Sequence, residues 1–114
     1  MKDDRLYLRH ILDAIITVEE YLQGVEREAF MGNRMLQDAV MRELAVIGEA
    51  ATKVSEGFRT AHPSMPFPKM IGLRNRLIHA YIDVDLDIVW ETCKQNIPSL
   101  KVAVEEIVRE SPTV

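Results

Sequence analysis

LDIVWETCKQNIPSLKVAVEEI, residues 86–107, decides the fold. Leu86, Trp90, Cys93, Ile97, Leu100, Val104 and Ile107 recur alternately four and three residues apart. At about 3.6 residues per turn that spacing lays them along one seam of a helix, the seam by which helices pack in bundles. Asp85, just ahead of it, is a good N-cap, because its carboxylate can accept a first-turn amide. Pro98 interrupts the seam. Its ring clashes with the carbonyl four residues earlier and it brings no amide hydrogen, so a kink or break is expected there.

Working back from this helix, TAHPSMPFPKM holds three prolines in six residues and reads as a loop ending near Phe67. Pro68 suits the first turn of a helix running through KMIGLRNRLIHAY, whose pattern fades after Tyr81. Further upstream, Leu36, Val40, Leu44, Ile47, Ala51, Val54 and Phe58 predict a helix from about Asn33, a possible cap, to Phe58. Gly48, Ala50 and Ala51 thin its middle enough for another helix to come close. Leu8, Ile11, Leu12, Ile15, Val18 and Leu22 predict the first helix, closed near Gly24. No stretch alternates apolar and polar residues long enough to require a strand. The expected fold is all-α, a four- to five-helix up-and-down bundle in a single domain spanning residues 1–114.

The 114 residues suit one hydrophobic core, and 47% apolar with 28% charged residues is ordinary globular composition. No apolar run approaches the roughly 20 residues that span a bilayer, and MKDDRLYLRH lacks a signal-peptide core. A cytoplasmic location without membrane attachment is expected. Cys93 is the only cysteine, so no internal disulfide can form, and its place in the seam marks it as an inert core residue. A net charge of −4 excludes a broad cationic surface, so any grip on nucleic acid must come from a local basic cluster.

That cluster is Arg74-Asn75-Arg76-Leu77-Ile78-His79-Ala80-Tyr81. On a helical wheel with Leu77 at zero, Met70, Leu73, Ile78 and Ile71 occupy an arc from about −40° to +120°, while Asn75, His79 and Arg76 gather at about 160° to 260°. Arg74 falls near 60°, inside the apolar arc, where an arginine is costly unless paired or aimed into a cleft. Cleavage of RNA without a metal needs a base for the 2′-hydroxyl, an acid for the leaving oxygen and cations for the developing phosphorane charge. Histidine titrates near neutral pH, and the arginine fork matches phosphate oxygens. One histidine cannot easily act as both base and acid. A homodimer with this helix facing its copy across a two-fold axis would bring a second His79 to the same cleft.

The pattern Arg-polar-x3-His, here Arg74, Asn75 and His79, resembles the signature of HEPN ribonucleases. With Tyr81 following, and with YLRHILDAI, LQDAVMRELAVIGEAA and VDLDIVWETCKQNIPSL in order around it, nearly the whole chain is similar to the HepT toxins. The resemblance implies an HEPN-like, homodimeric, metal-independent endoribonuclease toxin of a type VII-like toxin-antitoxin pair, with its active cleft at the dimer interface. Arg74 and His79 would be catalytic, and Asn75 and Arg76 supporting. No metal and no cofactor is implied. The implied partners are an RNA substrate and an MntA-like nucleotidyltransferase antitoxin, which could join the homodimer in a larger hetero-oligomer. That antitoxin would inactivate the toxin by transferring AMP onto Tyr81, adding bulk and negative charge beside the arginines.

The residues also admit plainer roles. Arg74 can pair with Glu43 or Glu49 across a helix interface, and Arg76 and Lys69 can be solvated charges. His10 and His62 carry no chemical signal. Asp83, Asp85 and Asp87 open like a calcium loop, but Ile88 and Lys94 stand where that loop needs glycine and glutamate. The alternative function is a non-catalytic helical dimer that binds a nucleotidyltransferase partner.

Overall fold

In a computed structural model, which describes residues 3–79 and 83–110 with His79 as backbone only, the chain starts with a capped helix. Asp3 accepts the Arg5 amide at 3.2 Å, and Asp4 adds negative charge at the positive end of α1 (Asp4–Leu22). Leu8, Ile11, Ala14, Ile15, Val18 and Leu22 form its buried face. Gln23 turns extended and Gly24 takes φ +73, the left-handed conformation that closes the helix where expected.

A short helix, α2 (Arg27–Met31), follows; it leaves no mark in the apolar pattern, since barely more than one turn carries no periodicity. It buries Phe30 against Trp90, ring centroids 5.3 Å apart. The buried Gln37 amide donates to the carbonyls of Phe30 and Met31 at 2.9 and 3.0 Å and finishes the turn. Asn33 caps α3 (Arg34–Lys53) as anticipated, accepting the Leu36 amide at 3.0 Å.

The helix expected to reach Phe58 stops at Lys53. Val54 is extended, and Ser55 caps a separate helix, α4 (Glu56–Ala61), by accepting the Phe58 amide at 3.2 Å. Two contacts from elsewhere enforce the break. The Asp4 carboxylate accepts the Ser55 amide at 2.8 Å and its hydroxyl at 2.7 Å. The Arg59 guanidinium donates to the carbonyls of Ala51, Thr52 and Val54 at 3.1 to 3.2 Å, taking the place of amides that a continuing helix would supply.

After the proline loop, α5 (Phe67–His79) carries Pro68 in its first turn, as predicted. Asp85 caps α6 (Leu86–Glu91), accepting the Asp87 amide at 2.9 Å. A π-helical turn, Thr92–Asn96, joins α6 to α7 (Ile97–Glu110) without interruption. The expected kink or break at Pro98 is therefore resolved by widening. The Ile97 amide reaches back to the Thr92 carbonyl, and the looser turn accommodates a proline that cannot donate. Trp90, Cys93, Ile97, Leu100, Val104 and Ile107 are all buried, so the seam holds across the π-turn.

The described residues thus form an all-α bundle without strands. α3 is central, with α1 packed along it on one side and α5 on another, while α7 closes against α1. α5 barely meets the α6–α7 rod, and that gap frames a groove. Among the described residues no helix is long and apolar enough to cross a membrane.

Candidate active site on the fifth helix

α5 has the two faces read from its sequence. Met70 and Leu77 are buried, Ile71 and Leu73 half-buried, and Lys69, Asn75 and Arg76 exposed. Ile78, placed in the apolar arc, is instead 48% exposed, since the packing thins toward the end of the helix. α5 continues to His79, so Asn75 and His79 stand four residues apart in one helix and share a face. The His79 side chain and Tyr81 lie outside the described residues.

Arg74 occupies the packed side. Its position depends on Gly48 of α3, where a Cβ would fall on the Arg74 Cβ and lie 2.6 Å from the Met70 carbonyl oxygen. The small residues at the middle of α3 therefore do permit close approach, with α5 as the neighbour. Of the two carboxylates that could pair with Arg74, the structure selects Glu49, whose Oε1 lies 2.6 Å from Nη2. Glu43 instead accepts from Arg42 at 3.1 Å.

A second contact fixes the other arm of the fork. Arg74 Nη1 donates to Asn75 Oδ1 at 2.8 Å. Nε is buried and has no partner among the described residues. Each terminal nitrogen carries two hydrogens, so one bond to Glu49 and one to Asn75 leave a hydrogen free on each. Such a guanidinium is held in place yet retains two donors spaced for phosphate oxygens. With 28% of its side chain exposed, Arg74 is accessible to a ligand from one edge.

Arg76 belongs to a different feature. It and Lys69, both exposed, stand on the wall of an open groove of about 640 Å³ between α5 and the α6–α7 rod. The sequence placed Arg76 with Asn75 and His79, whereas the fold puts it at the boundary between their face and the groove. The groove itself was not foreseen. Its one sequence signal is that Lys69 and Arg76, seven residues apart, fall at nearly the same angle on the wheel.

Comparison with known proteins identifies the family. Residues 11–107 match the family model described as "Ribonuclease HepT-like". The "Probable ribonuclease HepT" of Thermococcus cleftensis is 40% identical over 101 residues, covering 89% of this chain and 92% of that protein. A protein of Methanocaldococcus jannaschii with a provisional RNase name is 37% identical over 109 residues, or 96% of this chain and 90% of its own length. One from Caldanaerobacter subterraneus, also provisionally named an RNase, is 37% identical over 110 residues, covering 96% and 98%. No solved structure matches significantly. A match across most of the chain, with full-length relatives at these identities, means that this protein belongs to the HepT-like ribonuclease family.

Proposed function

We propose that the protein is a metal-independent endoribonuclease toxin whose cleft forms where two α5 helices face each other across a two-fold axis. The observation that carries the reading is the Arg74 guanidinium, held by Glu49 and Asn75 with two donors left over, on the helix that ends in His79. Membership of a ribonuclease family supplies the substrate class.

In this mechanism one His79 takes the proton of the ribose 2′-hydroxyl, whose oxygen attacks the adjacent phosphorus. The bond to the 5′-oxygen breaks, and that oxygen receives a proton from the His79 of the second subunit. Arg74 stabilises the charge gathering on the non-bridging oxygens, and Asn75 keeps its fork in plane. The products are a 2′,3′-cyclic phosphate and a 5′-hydroxyl. Arg76, at the edge of the same face, supports the strand.

Control would come from a nucleotidyltransferase antitoxin that transfers AMP from ATP to the Tyr81 hydroxyl, releasing pyrophosphate. Two residues beyond His79, the added phosphate would compete for the arginines and block the strand.

The test is RNA cleavage in the presence of EDTA by protein purified without the transferase, with analysis of product ends, set beside the same protein purified with it. The expected result is cyclic-phosphate ends from the unmodified protein. The co-purified protein should be inactive and heavier by one AMP mapping to Tyr81. A folded, unmodified dimer that cleaves no RNA would instead favour a non-catalytic partner of the transferase.

A further inference from the structure

The groove between α5 and the α6–α7 rod carries basic residues without acidic ones among the described residues. The chain carries 18 acidic against 14 basic residues, yet no Asp or Glu of the described residues lines this groove, while Lys69 and Arg76 do. Neither has an ion-pair partner among the described residues. Their α-carbons are seven residues apart, roughly 10 Å along the helix axis, a spacing that suits successive groups on a polyanion better than two oxygens of one phosphate.

The opposite wall sets polar groups among the apolar side chains of Ile88, Ile97, Leu100 and Ala103. The π-turn ahead of Pro98 places Thr92 and Asn96 on the groove, and Ser99 follows from the first turn of α7. Turns of this kind within α-helices are frequent at functional sites. The floor comes from buried Leu44 and Ile47 of α3. Cations on one side, hydroxyl and amide groups on the other and an apolar floor match the parts of a nucleotide: phosphate, sugar and base edges, and base face. Gly72, also on the lining, falls at about 220° on the wheel, between Asn75 with His79 and Arg76, so the groove opens beside the face of Asn75 and His79.

We infer that this groove is the track for single-stranded RNA flanking the scissile phosphate, with Lys69 and Arg76 contacting two backbone phosphates and Thr92, Asn96 and Ser99 contacting the strand from the other wall. The inference rests on the ribonuclease reading and extends it to the substrate: a strand without secondary structure, engaged over more than one nucleotide away from the cleaved bond.

The experiment measures binding of a short, unstructured, fluorescently labelled oligoribonucleotide across a series of salt concentrations. All proteins carry His79→Ala so that no cleavage occurs. Each of Lys69→Gln and Arg76→Gln should weaken binding several-fold and flatten the slope of log affinity against log salt by about 0.7, the value for one phosphate contact on a single strand. The double variant should flatten it by about twice that. Lys53→Gln, an equal loss of charge at an exposed position off the groove, should leave the slope unchanged. Both groove residues are exposed, and an unchanged melting temperature checks that the variants fold.

If the His79-intact protein cleaves RNA while the double variant keeps its affinity and slope, the track is wrong and the ribonuclease reading stands. An equal effect of Lys53→Gln would reduce the contribution to net charge and overturn the track. A change in oligomeric mass on substituting Lys69 or Arg76 would mean that a second protein surface fills the groove, which also overturns it. Should the intact protein neither bind nor cleave any RNA, the ribonuclease reading falls first and the track with it.

Discussion

Gly48 and Arg74 share the point of closest approach between α3 and α5, and each restricts what the other position can be. In an isolated helix, alanine at position 48 would be favourable by about 1 kcal/mol. Here its methyl group would meet the Met70 carbonyl and the Arg74 stem. Gly48→Ala is expected to destabilise by about 1–3 kcal/mol, read as a lower urea midpoint with unchanged slope. Glu49 is half-exposed, so its bond to Arg74 contributes little to stability, about 0–1 kcal/mol. Its effect belongs to orientation. Glu49→Gln should keep the melting temperature nearly constant while lowering kcat about tenfold with little change in KM, and an unaltered kcat would remove Glu49 from the account. Cys93 behaves as its place in the seam implies. Burial pushes its thiol from 9.0 up to about 12, so folded protein at pH 8 should resist a thiol reagent that labels it at once after unfolding. With the folded value raised, the stabilising contribution is complete below pH 9. It declines between pH 9 and about 12, where the unfolded chain ionises first.

At the scale of the helices, the sequence was legible wherever a pattern ran for three turns or more. α1, α3, α5 and the α6–α7 rod were read from apolar spacing, and Asn33, Pro68 and Asp85 marked their starts. α2 and α4 were not, because helices of five and six residues give the period no room to repeat. The break after Lys53 depends on Asp4 meeting Ser55 from 51 residues away, information that no local window contains. Pro98 was legible as a disturbance but not as a π-turn, because the outcome depends on the buried seam holding both halves of the rod in line. Arg59→Met gives the break an energetic test. It removes the donors to three carbonyls at the end of α3 and the cation 6.0 Å from the Phe67 ring. A loss of about 1.5–3 kcal/mol in thermal or urea unfolding is expected, and a loss within error would mean that Ser55 and Asp4 suffice.

For the molecule as a whole, the sequence indicated which residue types met on α5 and the structure altered their grouping. Arg74 and Asn75 are joined, Glu49 is drawn in from α3, and Arg76 turns toward a groove that only tertiary packing creates. Net charge alone pointed away from nucleic acid, yet the acid-free groove shows how a chain of charge −4 can still offer a cationic wall. The proposed function puts the chemistry of RNA cleavage on α5, with His79 as its proton-transfer group. The most direct test is the single-turnover cleavage rate of one RNA by the unmodified protein and by His79→Ala, with melting temperature and oligomeric mass measured on both. Equal stability, equal mass and a rate lower by about 10²–10⁴-fold are expected of the variant; a folded His79→Ala protein that cleaves as fast as its parent would remove His79 from the chemistry.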